Sequence, residues 1–185
     1  MKIRNYFLIA VGGALVGAAS GFAWRALDDR TAPKPPNPVV ETVEQIDALP
    51  AFNYPDLTGR ERHSNEFNDK VVVLNFWATW CPPCRKETPL FVELQDDFAG
   101  RVQFIGIAID DAEPVREFAD NYRVNYPVLL GDMDAIAMSR RLGNHYEGLP
   151  FTVVARPGGE VVLRHAGELE RAELEPLLRE LSGAG

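Results

Sequence analysis

The sequence predicts an α/β fold, a mixed central β-sheet flanked by helices, with an N-terminal transmembrane helix ahead of it. Two β-branched and aromatic runs of strand length, residues 71–77 (VVVLNFW) and 102–109 (VQFIGIAI), are each followed by a helical stretch. Two later apolar runs bracket Pro157-Gly158-Gly159, a turn signal that implies an antiparallel pair. Residues 6–24 (YFLIAVGGALVGAASGFAW) form an uncharged run long enough, at roughly 28 Å as a helix, to cross a bilayer core. The remaining composition limits the function. A chain of 185 residues that is 46% hydrophobic and 25% charged holds about one compact domain with an appendage, and it is not a disordered chain. Two cysteines are too few for a disulfide-stapled scaffold. A net charge of −8 without a basic stripe argues against a nucleic-acid partner.

Residues 1–27 read as a membrane anchor or signal peptide. Lys2 and Arg4 precede the apolar run and Asp28 and Asp29 follow it, which places the N-terminus in the cytoplasm and the remainder outside. The run exceeds the usual signal-peptide core, which favours an uncleaved anchor, although Ala18-Ala19-Ser20 also fits a peptidase site. Residues 28–49 contain Pro33, Pro35, Pro36 and Pro38 and read as a linker. The folded domain is therefore expected over residues 50–185.

Within that domain, residues 52–54 and 60–63 flank Asp56-Leu57-Thr58-Gly59 and predict a short hairpin. Residues 71–77 are apolar almost throughout, as a strand buried on both faces must be, and so form the central strand. A helix follows over 82–98, because proline is tolerated in a first turn and Leu90, Phe91, Leu94 and Phe98 recur at helical spacing; Gly100 ends it. Residues 102–109 give a second buried strand and 114–122 a helix, with Pro114 in its first turn. A short strand over 127–130, a helix over 134–142, a hairpin of 151–155 with 161–165, and a closing helix over 169–181 complete the order.

The chemistry is concentrated at Trp80-Cys81-Pro82-Pro83-Cys84, where the central strand hands over to a helix. A cysteine just ahead of a helix faces unpaired N–H groups and the positive end of the dipole, both of which favour thiolate over thiol. Cys81 is thus the candidate nucleophile and Cys84 the buried resolving thiol. Pro82 and Pro83 carry no N–H, so the first backbone donor after Cys81 belongs to Cys84. One helical turn separates the sulfurs, close enough for a disulfide to form and open without backbone movement. A purely structural bridge is disfavoured because so short a loop removes little unfolded-chain entropy. No metal is expected, since His63, His145 and His165 stand at no ligand spacing, and the two prolines speak against a pair of inert buried thiols.

Residues 75–89 (NFWATWCPPCRKETP) resemble the active-site strand and helix of thioredoxin-like proteins, and most closely the membrane-tethered TlpA/ResA type of thiol:disulfide oxidoreductase. Gly148-Leu149-Pro150-Phe151-Thr152 resembles that family's cis-proline loop. The resemblance covers nearly everything after Pro50 and implies a thioredoxin-like fold, with the segment between Ile109 and Pro127 as the insertion that marks this branch. It also implies that Pro150 packs in cis beside the disulfide and that the Leu149 backbone pairs with an extended substrate. Trp80 and Leu149 then line an apolar rim, with Phe151 either joining it or entering the core. One position departs from thioredoxin: the buried aspartate expected six residues before the first cysteine is Asn75, which cannot take a proton. Asp110 or Asp111 in the insertion is the substitute that the resemblance suggests, Asp111 fitting better as the candidate proton relay; both also read as loop acids, and Glu87 reads as a surface residue.

The expected activity is reduction of disulfides in exported proteins on the periplasmic face of the inner membrane. Cys81 attacks the substrate disulfide and Cys84 resolves the mixed disulfide. By resemblance, a DsbD- or CcdA-type membrane protein re-reduces the pair, no bound cofactor is needed, and apocytochrome c or a copper-receiving protein is a typical substrate. A disulfide-forming oxidase and a thiolate metallochaperone are the alternatives.

Overall fold

The computed structural model describes residues 45–183; the anchor and most of the linker lie outside the described residues. Among the described residues, no helix is long and apolar enough to cross a membrane. A hairpin of β1 (Asn53–Pro55) and β2 (Glu61–His63) comes first, followed by a single 3-10 turn over Ser64–Phe67. Then come β3 (Val71–Trp77), α1 (Pro82–Asp97), β4 (Val102–Ala108), α2 (Ala112–Tyr122), β5 (Val128–Leu130), α3 (Met133–Arg141), β6 (Phe151–Ala155), β7 (Val161–Ala166) and α4 (Arg171–Leu181).

The five longer-range strands form one sheet in the order β5-β4-β3-β6-β7. Parallel pairing on one side of β3 and antiparallel pairing on the other make the sheet mixed, as expected. All seven residues of β3 are buried, the consequence of its central position with both faces covered. The two-residue period of the strand sends alternate side chains to opposite layers. Val72, Leu74 and Phe76 join Phe52, Ile105, Ile107, Leu129 and Met138 beneath the hairpin and α3. Val71 and Val73 join Phe91, Leu94, Phe98, Leu174 and Leu178 beneath α1 and α4. A third cluster at the carboxyl end of β3 packs Trp77, Ala78 and both cysteines against Val115 and Phe118 of α2. The Trp77 and Phe118 rings lie 4.7 Å apart, and Phe118 stacks on Tyr122 at 4.1 Å, tying α2 to the strand that leads to the cysteines.

Three boundaries differ from expectation by two residues or more, for physical reasons. The domain begins by Ile46 rather than at Pro50. Ile46 donates its N–H to the Arg141 carbonyl at 2.9 Å, Leu49 donates to Gly159 at 2.8 Å, and Asp47 accepts from Val161 N–H and from the Arg164 guanidinium. Helix α2 starts at Ala112, ahead of Pro114, because proline is harmless wherever in the first turn the N–H is unsatisfied. Helix α4 starts at Arg171 rather than at Leu169, with Glu170 and Glu173 forming a reciprocal cap. The extended backbone of Glu170 (φ −98°, ψ 154°) keeps Leu169 outside the helix, and the Leu169 N–H goes to the Glu87 carboxylate.

Gly131, between β5 and α3, lets the helix approach the sheet closely. A Cβ there would stand 2.7 Å from both Ala135 Cβ and Ile107 Cγ2. Gly131→Ala is therefore expected to destabilise the domain by about 2 kcal/mol through overpacking. Gly148→Ala, where a Cβ meets nothing within 4 Å, should change stability little. Urea unfolding of the two variants checks the contrast, and equal stabilities would refute the close-packing account.

Candidate active site

The site is built where β3 ends. Ile109 donates to the Trp77 carbonyl at 2.8 Å, which carries the β3–β4 ladder one residue past the strand ends. Asp110 then accepts from both the N–H and the hydroxyl of Thr79, the former at 3.0 Å, and so fixes the loop just before the cysteines. Cys81 has extended backbone (φ −85°, ψ 110°) and occupies the N-cap position of α1, with Pro82 and Pro83 as the first helical residues. Its sulfur accepts from Cys84 N–H at 3.3 Å, the first backbone donor past the two prolines. Cys81 and Cys84 are joined in a disulfide with Cα atoms 5.3 Å apart. Both are buried within the protein surface, Cys81 at 3% and Cys84 at 1% exposure.

Cys81 forms part of the wall of a cleft of about 430 Å³ that Trp80, Pro82, Pro83, Ile109 and Leu149 also line. Trp80 stands on its edge, 66% exposed. Phe151 lies in the core rather than on the rim. The Leu149–Pro150 bond is cis. The loop that carries it is held by Asn144, a buried side chain whose amide grips both sides of one residue: Oδ1 accepts from Gly148 N–H at 3.1 Å and Nδ2 donates to the Gly148 carbonyl at 3.0 Å. Nothing local in the sequence marks Asn144 for this task beyond its preference for turns.

Glu87 departs furthest from its expected place. It is not a surface residue: it lies on the inner face of α1 at 2% exposure. Its Oε1 accepts from Asn75 Nδ2 at 2.9 Å, and its Oε2 accepts from Leu169 N–H at 3.1 Å. Asn75 Nδ2 also donates to Thr152 Oγ1 at 3.0 Å. Burial pushes the Glu87 carboxyl up to about 7; the two hydrogen bonds pull the other way, while neighbouring Glu168 adds to the rise. The signal was present as spacing. Cys84, Glu87, Thr88, Phe91, Leu94 and Gln95 follow the helical repeat of the buried face, three residues after Cys84 and four before Phe91.

Asp111 occupies the N-cap position of α2, is exposed, and makes no side-chain cap bond. The acid of the insertion that touches the cysteine loop is Asp110, through Thr79, and the acid one turn from Cys84 is Glu87. His63, His145 and His165 are dispersed over β2, the α3–β6 loop and β7, and among the described residues no group of metal-ligating side chains forms.

A model of the AhpC/TSA family matches residues 46–164. The thioredoxin-like protein YneN of Bacillus subtilis is 30% identical over 140 residues, covering 74% of this chain and 79% of that protein. The thiol-disulfide oxidoreductase ResA of Bacillus cereus is 31% identical over 135 residues, covering 72% and 76%. Among solved structures, a thiol:disulfide interchange protein of the thioredoxin family from Chlorobium tepidum superposes with a TM-score of 0.65 at 28% identity, covering 74% of this chain and 96% of that one.

Because the Glu87 carboxyl is raised from 4.5 to about 7 on folding, the folded state holds a proton that the unfolded chain releases between those values. Its contribution is fully present below pH 4.5 and is lost as pH rises through about 7, a loss on the order of 3 kcal/mol at about 1.4 kcal/mol per unit. Glu87→Gln should remove this decline, so that the variant gains on the parent as pH rises from 5 to 8. Denaturant unfolding of the oxidised proteins measures it, and parallel stability curves would disprove it.

Proposed function

The chain belongs to the AhpC/TSA family and is a thioredoxin-like thiol:disulfide oxidoreductase, and on that premise we propose that it works in the reducing direction through Cys81 and Cys84. The observation that carries the direction is the buried carboxyl one helical turn from Cys84. An ionised Glu87 disfavours further negative charge nearby, which penalises the dithiol's thiolate forms relative to the disulfide and makes the reduced pair a better electron donor.

The mechanism follows from the geometry. The Cys81 thiolate, stabilised by Cys84 N–H and the helix N-terminus, attacks a substrate disulfide at the cleft; one substrate sulfur leaves as thiolate and a mixed disulfide forms. Cys84 then attacks Cys81 Sγ, its proton passing to the Glu87 carboxylate and on to the second departing substrate sulfur. The substrate gains two electrons and two protons, one proton from Cys84 and one from solvent onto the thiolate released in the first step, and the enzyme is left with the Cys81–Cys84 disulfide. Trp80, Pro82, Pro83 and Leu149 shape the cleft, and Pro150 presents the Leu149 backbone to an extended substrate segment.

Residues 6–24 support an inner-membrane anchor with the catalytic domain on the periplasmic face, a compartment in which disulfides persist and a dedicated reductase has work to do. A DsbD- or CcdA-type membrane protein would return the electrons. Exported proteins with disulfides to be opened, including those of cytochrome c maturation, are the proposed substrates.

Thiol trapping in cells should find Cys81 and Cys84 mostly reduced, and oxidised once the membrane donor is deleted. A pair that stays oxidised with or without the donor would overturn the reductase reading in favour of an oxidase. In vitro, product release from the mixed disulfide should accelerate as pH passes about 7 and Glu87 ionises. Glu87→Gln is expected to slow that step by about 10²-fold at pH 8 and to flatten the rise, as read by stopped-flow quenching with a model peptide disulfide.

A further inference from the structure

Glu87 is buried in both of its protonation states, and a buried carboxyl that changes state changes its hydrogen-bonding needs. As carboxylate it only accepts; as carboxylic acid it must also donate. Oε2 is served by Leu169 N–H in either state. Among the described residues the hydrogen-bond partner of Oε1 is the Asn75 amide, which sits between Oε1, 2.9 Å away, and Thr152 Oγ1, 3.0 Å away. Asn75 and Thr152 are directly paired across β3 and β6 and are both buried, at 6% and 0% exposure. A fixed donor at this point would leave the protonated carboxyl with an unpaired buried hydrogen, at a cost of roughly 1–3 kcal/mol.

We propose that Asn75 is a positioning residue whose side-chain amide turns over with the protonation state of Glu87. With Glu87 ionised, the two Nδ2 hydrogens go to Glu87 Oε1 and Thr152 Oγ1, the arrangement in this structure. With Glu87 protonated, a half-turn places Oδ1 at the same point, where it accepts from the Glu87 hydroxyl and from the Thr152 hydroxyl. Both neighbours are reversible: the carboxyl exchanges acceptor for donor, and threonine is either. The Glu87 hydroxyl hydrogen then has an acceptor, and the two Nδ2 hydrogens turn to the side that Oδ1 faces in this structure. This identifies what an amide supplies at position 75 that neither an aspartate nor an apolar residue can. Aspartate has no N–H for the carboxylate, and an apolar residue serves neither state.

The inference rests on Glu87 being the group that holds a proton, as under the proposed mechanism. The other titratable groups at this spot are Cys84 on α1, Glu168 on the β7–α4 loop with Lys86 3.6 Å from it, His165 beside Thr152 on β7, and Tyr126 before β5, a phenol whose own ionisation Glu87 opposes. Working with the oxidised protein removes Cys84 from the titration.

The test is nuclear magnetic resonance of the oxidised, isotope-labelled protein between pH 5 and 9. The Asn75 Nδ2 protons and the Glu87 side-chain carboxyl carbon should shift together with one midpoint, and the Asn75 shift should vanish in Glu87→Gln. Asn75→Leu, which removes the donor to the carboxylate, should raise the Glu87 midpoint by about one pH unit and move the pH profile of product release upward by the same amount. Asn75 resonances that stay constant while Glu87 titrates would overturn the proposal, as would a Glu87 carboxyl that does not titrate in this range. If Asn75 follows Glu87 but Glu87→Gln leaves product release unchanged, the amide switch stands and the proton role given to Glu87 falls.

Discussion

A carboxyl group enclosed between a sheet and a helix is the constraint around which much of this domain is arranged. Burial of Glu87 is tolerable only because groups remote in sequence converge on it. Asn75 lies twelve residues upstream and the Leu169 N–H eighty-two downstream. That convergence fixes several other features. The β7–α4 loop must bring Leu169 to α1 so that its N–H can donate, just ahead of the Glu170 cap that starts α4 at Arg171. Position 75 on the central strand must be polar although both sheet faces there are covered, and Thr152 must be polar opposite it. The seam of polarity runs through an apolar layer that holds Val73, Phe91, Phe104 and Leu174.

The two cysteines, three residues apart, sit in different electrostatic surroundings. Cys81 caps the helix, receives an N–H, and fronts a cleft, so negative charge on its sulfur is favoured and reachable. Cys84 lies one turn in, at 1% exposure, toward the side of the helix that carries the acid. One sulfur is thereby suited to open a bond in another molecule and the other to close a bond within this one. The two prolines sharpen the difference, since they leave a single backbone N–H in the first turn to serve the outer sulfur.

The sheet and helices were legible in the sequence because each element carries its own period. Residues 71–77 are apolar on both faces, as a doubly covered strand requires, and the spacing of Phe91, Leu94 and Phe98 places α1. The strand-to-helix placement of Cys81 was equally local and equally readable. At Glu87 residue type and position conflict: a glutamate early in a helix is ordinarily solvated, and the partners that make its burial tolerable come from other strands and loops. Asn144 was missed for a related reason. Its grip on Gly148 is a side-chain-to-backbone contact across a turn, and no periodicity records such a contact. Asp111 holds the exposed N-cap position of α2 without a side-chain cap bond whereas its neighbour Asp110 anchors Thr79, and no local pattern in the sequence separates the two acids.

The point at which the chain enters the domain has a mechanical consequence. Ala48 and Leu49 are joined to Glu160 and Gly159 at the β6–β7 turn, beside the end of β6 that pairs with the beginning of β3, whereas Cys81 follows the other end of β3. Any pull or restraint arriving from residues before 45 is thus delivered to the pole of the domain opposite the disulfide. Residues 46–49 accordingly line no part of the Cys81 cleft, whose walls are left to Trp80, the two prolines and the Leu149 loop.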